Sequence, residues 1–122
     1  MDEKHLSELI RKFAYEREWD QFHSPKNLAI SLSLEASELL ELFQLSRGTG
    51  GWEDFQDASF RKRVEEELAD ILLYLVRFAD LAGIQLEAAA LNKLAKNAQK
   101  YPVDLAKGSD KKYNEFVSKH LK

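Results

Sequence analysis

Two acidic pairs, Glu35-x-x-Glu38 and Glu67-x-x-Asp70, open onto the apolar faces of two predicted helices, and no other feature restricts the fold as much. With 3.6 residues per turn, positions three apart lie about 60° from one another on a helix surface, so each pair points two carboxylates the same way. Glu35 falls on the stripe of Leu28, Leu39 and Leu42, and Glu67 on that of Val64, Ile71, Tyr74 and Phe78. A buried, unpaired carboxylate takes up a proton unless a cation or hydrogen-bond donors compensate it. The fold must therefore bring the two helices together around something positive. Four convergent carboxylates without His or Cys neighbours suit a hard divalent ion, Mg²⁺ or Mn²⁺, held through oxygen.

The helices that carry these pairs are legible from periodicity. Leu6, Leu9, Ile10, Phe13 and Ala14 recur at helical spacing over residues 3–18, with Asp2 available as a cap. Ser24 before Pro25 reads as an N-cap and a first-turn proline, so a second helix runs from Pro25 to about Leu45. The Arg47 to Gly51 segment carries three of the five glycines and is expected to be a flexible connection and a mobile lip. It lacks the strand context and the terminal Gly-Lys-Ser/Thr of a phosphate loop. Asp57 or Ser59 caps a third helix that Gly83 ends near Ala82, and its middle, Ile71 to Val76, is apolar all round. Such a helix belongs at the centre of a bundle, or across a subunit interface. A fourth helix covers about Leu86 to Gln99, with Ala88, Leu91, Leu94, Ala95 and Ala98 facing inward, and Pro102 stops it. The lysine-rich remainder has room for one short helix near Asp110 to Leu121.

At 122 residues, 44% apolar and 32% charged, with only two prolines, the chain is expected to be one all-α domain over 1–122: a helical core of about 3–100 and a polar segment 101–122. The net charge of −3, with both signs mixed, offers no basic stripe, so no nucleic-acid polymer is expected as partner. No apolar run approaches the ~20 residues of a membrane helix. The absence of cysteine and the charged start, Met1 to Lys12, point to a cytoplasmic protein.

A single Glu-x-x-Glu is expected by accident among 21 acids; two, on adjacent long helices and both facing leucine stripes, are not. Di-iron bundles of the ferritin type need Glu-x-x-His on two helices, but positions 38 and 70 hold Glu and Asp, while His5, His23 and His120 lie elsewhere. That leaves Mg²⁺, with Mn²⁺ as substitute. An ion held this way keeps waters and accepts phosphate oxygens, so the expected partner is a phosphorylated small molecule such as a nucleotide. Without Cys or a Ser-His arrangement the attacking group is a water, deprotonated by Glu38 or, one turn on, by Glu41. Lys93, Asn97 and Lys100 recur at four and three and form one polar stripe. His23 is expected to pin a loop rather than touch substrate.

In order along the chain stand Phe13 to Leu28 with Trp19 and His23; Glu35-Ala-Ser-Glu38-Leu-Leu-Glu41; Glu66-Glu67-Leu-Ala-Asp70 with Tyr74; and Lys93-Leu-Ala-Lys-Asn97 followed by Lys100-Tyr101-Pro102. This series resembles the MazG-like nucleotide pyrophosphohydrolases, in particular the dCTP pyrophosphatase branch, over about residues 6–114. The resemblance implies an antiparallel four-helix bundle assembled as a dimer or a dimer of dimers. It also implies cleavage of a nucleoside triphosphate between the α and β phosphates, with Glu35, Glu38, Glu67 and Asp70 as Mg²⁺ ligands. Trp19 and Tyr74 would contact the base; Lys93, Asn97, Lys100, Tyr101 and Lys112 would bind phosphate and sugar. Two positions depart from the branch: Leu45 stands where a second tryptophan is common, and Ile10 where helix one carries a histidine. An apolar wall discriminates poorly between bases, so a broader choice is expected, dCTP first and dATP within range. The alternative from another class is a helical module that senses nucleotide or dimerises without catalysis.

Overall fold

Local capping chemistry starts and ends most of the helices where the sequence places those signals. The computed structural model describes residues 1–44 and 48–109, and all regular structure in them is helical. The chain divides into two units, Met1–Ile84 and Gln85–Lys122.

In the first unit, helix α1 spans Glu3–Glu16, its first turn closed by the Asp2 carboxylate, which accepts from the His5 N–H at 3.0 Å. It ends two residues before the expected boundary. The Glu18 N–H bonds the Tyr15 carbonyl and the Trp19 N–H the Ala14 carbonyl, while Glu18 takes a φ of 56°. This is the left-handed closure of a Schellman motif, with glutamate in the place glycine usually occupies. A 3₁₀ turn, Asp20–Phe22, follows. Ser24 then caps α2, Pro25–Gln44, accepting from the Asn27 N–H at 3.1 Å.

The glycine-rich segment expected to be a mobile lip is, in its described part, folded onto one side chain. The Asp54 carboxylate accepts from the Thr49 and Gly50 N–H groups at 3.1 and 2.9 Å. A second 3₁₀ turn, Trp52–Gln56, which periodicity did not reveal, carries Phe55 into an aromatic group with Phe43 and Phe60. Their ring centroids lie 5.3–6.2 Å apart, within the range of edge-to-face and tilted aromatic pairs. Asp57, rather than Ser59, caps α3, Ala58–Ala82, accepting from the N–H groups of Ser59 and Phe60, and Gly83 ends it at a φ of 70°.

Helix α3 packs against both α2 and α1. The core is built from Ala14, Leu28, Phe60, Val64, Val76 and Ala79. The all-round burial expected for the middle of α3 is only partly realised within one chain: Val76 is 1% exposed, yet Leu73 and Leu75 remain 39% and 38% exposed.

In the second unit, α4 spans Leu86–Lys100 and α5 Val103–Ala106, with Pro102 between them. None of the α4 residues is buried, so the inward stripe expected from Ala88, Leu91, Leu94, Ala95 and Ala98 is not realised among the described residues. The helix expected near Asp110 to Leu121 lies outside the described residues, as do Leu45 and Lys112.

Candidate functional site

The site is set by which faces α2 and α3 turn to each other. Glu35 and Glu67 sit on the buried stripes of their helices, next to Leu28 and Val64 in helical register, and both are half-buried. Packing α2 on α3 therefore brings carboxylates from distant sequence positions together. One oxygen from each of Glu35, Glu38 and Glu67 falls within 4.8 Å of the others. The Oε2 atoms of Glu35 and Glu67 are buried and have no hydrogen-bond partner. A native fold seldom leaves two buried carboxylate oxygens unanswered. Burial, then the adjoining carboxyls of Glu67 and Glu38 and the charges of Glu38 and Asp70, push the Glu35 carboxyl up to about 7. Burial and like charge both disfavour the ionised form of a carboxyl. The donor set is oxygen only, which fits a hard divalent cation. The three grouped residues and Asp70 are those that would hold such an ion.

Asp70 is not one of the three grouped oxygens. It stands within electrostatic reach of Glu35, and the two line the same cavity of about 480 Å³. Trp19 and Tyr74 line that cavity as well, so it joins the expected aromatic contacts to the acidic group. Leu6, Leu9, Ile10, Phe13 and Ala14 of α1, with Leu73 of α3, supply its apolar wall. Glu41, one turn beyond Glu38, is exposed and stands outside the grouped acids. On α4, Lys93 and Lys100 are exposed and Asn97 half-buried, and the Tyr101 N–H closes the helix on the Asn97 carbonyl at 2.8 Å.

The position of Trp19 follows from the chain reversal at Glu18. The Schellman closure folds the indole back on the last turn of α1, where it meets Phe13 edge-on with ring centroids 5.6 Å apart. Residue Arg77, which belongs to none of the sequence motifs, is only 4% exposed and lines the same cavity. Its Nε donates to His23 Nδ1 at 3.0 Å and its Nη2 to Asp20 Oδ1 at 2.7 Å. His23 thus pins a loop, as expected. Because its Nδ1 accepts, the ring is neutral and carries its proton on Nε2. Burial, together with the Arg77 charge, lowers its pKa from 6.5. A signal for Arg77 was present: positions 70, 74 and 77 recur at four and three, so a charge at 77 shares the face of Asp70 and Tyr74.

The sequence matches the MazG-like family over residues 30–116. It is 40% identical to dCTP pyrophosphatase 1 of Homo sapiens over 115 residues and to that of Mus musculus over 111. Each alignment takes in 91% of this chain, which spans 65% of the length of either relative. A solved pyrophosphatase from Archaeoglobus fulgidus DSM 4304 superposes with a TM-score of 0.71 at 44% identity, covering 81% of this chain and 91% of that one. With a family match over most of its length and a likeness in both sequence and fold, the chain belongs to the MazG-like family.

Proposed function

We propose that this protein is a Mg²⁺-dependent nucleoside triphosphate pyrophosphohydrolase that clears surplus or non-canonical deoxynucleotides. It takes dCTP by preference, accepts dATP, and releases the monophosphate and pyrophosphate. The observation that carries the reading is the meeting of Glu35, Glu38 and Glu67 beside a cavity that also holds Trp19 and Tyr74. The names of its relatives, a pyrophosphatase and dCTP pyrophosphatases, support the same chemistry.

Glu35, Glu38, Glu67 and Asp70 hold the ion, which when bound offsets phosphoryl charge and acidifies a water. Glu38, the exposed member of the group, takes the proton from the attacking water; Glu41 is its runner-up. That water adds across the α–β bond, and pyrophosphate leaves. Trp19 stacks on the base and Tyr74 bounds its edge, while Ile10 in the wall loosens the choice of base. Lys93, Asn97, Lys100, Tyr101 and Lys112 bind phosphate and sugar. The enzyme works as a single-domain antiparallel bundle in a cytoplasmic dimer or dimer of dimers. Support for assembly comes from apolar side chains left uncovered on α2 and α3, among them Ile30 at 47%, Leu34 at 58% and Leu68 at 51% exposure.

The test is an assay on dCTP and dATP with Mg²⁺ that separates pyrophosphate from phosphate. Pyrophosphate release that EDTA abolishes is the expected result. Release of phosphate alone, or binding without turnover, overturns it.

A further inference from the structure

We propose that Arg77 is a positioning residue for the Trp19 wall: through Asp20 and His23 it fastens the turn after Trp19 to α3, and so sets how firmly that wall closes on a planar ring. The inference rests on the reading of Trp19 as the partner of the base.

A guanidinium that is 4% exposed is costly to bury without partners, and here both of its hydrogen bonds go to one turn. Asp20 opens the 3₁₀ turn and His23 follows it, so the two contacts bracket the segment that begins directly after Trp19. The residue before Trp19 is strained. Glu18 holds a left-handed φ of 56°, a conformation that persists in a side-chain-bearing residue only when the surroundings over-determine it. The Schellman closure fixes the turn from the α1 side, and Arg77 fixes it from α3. Since Tyr74 lies three residues before Arg77, one face of α3 both supplies one aromatic contact and locates the other. Both hydrogen bonds of Arg77 go to the turn after Trp19, so its loss is expected to act on the ring end of the cavity.

The experiment uses a Trp52→Phe background. Trp52 is 85% exposed and the chain has two tryptophans, so this leaves Trp19 as the sole reporter. In the ligand-free protein, where Trp19 is 43% exposed, Arg77→Ala is expected to raise its acrylamide quenching by up to about twofold, because the turn opens locally. With dCTP, KM is expected to rise about tenfold while kcat falls less than about twofold. Arg77→Lys, a single-point donor, does not restore both bonds and is expected to behave like Ala. Asp20→Ala with His23→Ala attacks the same clamp from the loop side, and adding these changes to Arg77→Ala is expected to do no further harm. If the loop-side pair leaves both quenching and KM at wild-type values, the inference is overturned; if Arg77→Ala does not fold, that pair decides alone. If the wild type hydrolyses no nucleotide while quenching still responds, the clamp stands and the proposed function falls.

Discussion

At the scale of single residues, spacing decided most of what the acids do. Glu35 and Glu67 are not surface acids that happen to lie near one another; each sits on the buried stripe of its helix, and each has a buried oxygen with no hydrogen-bond partner. Glu38 and Asp70 crowd their charges against Glu35, so removing charge at either should cost chemistry more than stability. Glu38→Gln and Asp70→Asn are therefore expected to abolish pyrophosphate release from dCTP while circular dichroism shows unchanged helix content. Normal turnover in either variant would refute the roles given to them. The acids were legible because i to i+3 geometry is a property of any helix. Arg77 is not legible in the sequence for the opposite reason: one arginine in the apolar stretch from Ile71 to Ala79 says nothing of its partners until the chain brings Asp20 and His23 to it.

At the scale of elements, the boundaries follow local rules. Asp2, Ser24 and Asp57 accept backbone N–H groups at the starts of α1, α2 and α3, and Gly83 supplies the left-handed end of α3. Asp57→Ala is expected to destabilise the protein by about 1 kcal/mol through the lost cap. Gly83→Ala is expected to cost about 1–2 kcal/mol through strain at positive φ. Its added Cβ would meet nothing within 4 Å, so backbone conformation alone is at work. Urea denaturation read by circular dichroism measures both, and an unchanged midpoint would contradict either. Where the elements departed from expectation, the cause lies outside the periodic signal. The α1 helix stops at Glu16 because Glu18 adopts a glycine-like conformation, and the 3₁₀ turn at Trp52–Gln56 exists because Phe55 packs with Phe43 and Phe60.

At the scale of the first unit as a whole, α1 is tied to α3 by a two-bond bridge: Arg11 donates from Nε and Nη2 to the Asp80 carboxylate. The Arg11 hydrogen bond outweighs burial and holds the Asp80 carboxyl below its usual 3.8. A folded-state pKa held below the unfolded one adds stability that is present above pH 3.8 and lost as pH falls below it. Asp80→Asn should therefore be less stable than the wild type near neutral pH, and the gap should narrow as the solution is acidified below 3.8. Thermal melts of the two proteins across that range check it, and a gap independent of pH would show that the bridge does not carry the difference. Because Arg11 is largely exposed, added salt is expected to shrink the effect.

The amino-acid sequence by itself determined the helical class, the caps that start α1 and α2, the places where α2, α3 and α4 run, and the direction in which each acidic pair points. These depend on neighbours within one or two turns, and a helix imposes them wherever it lies. Only the tertiary structure decided that Glu35 and Glu38 meet Glu67, that Trp19 and Tyr74 share a cavity, and that Arg77 reaches back 57 residues to Asp20. Those meetings depend on how side chains from separate helices fill one core, and packing between distant segments leaves no periodic trace along the chain.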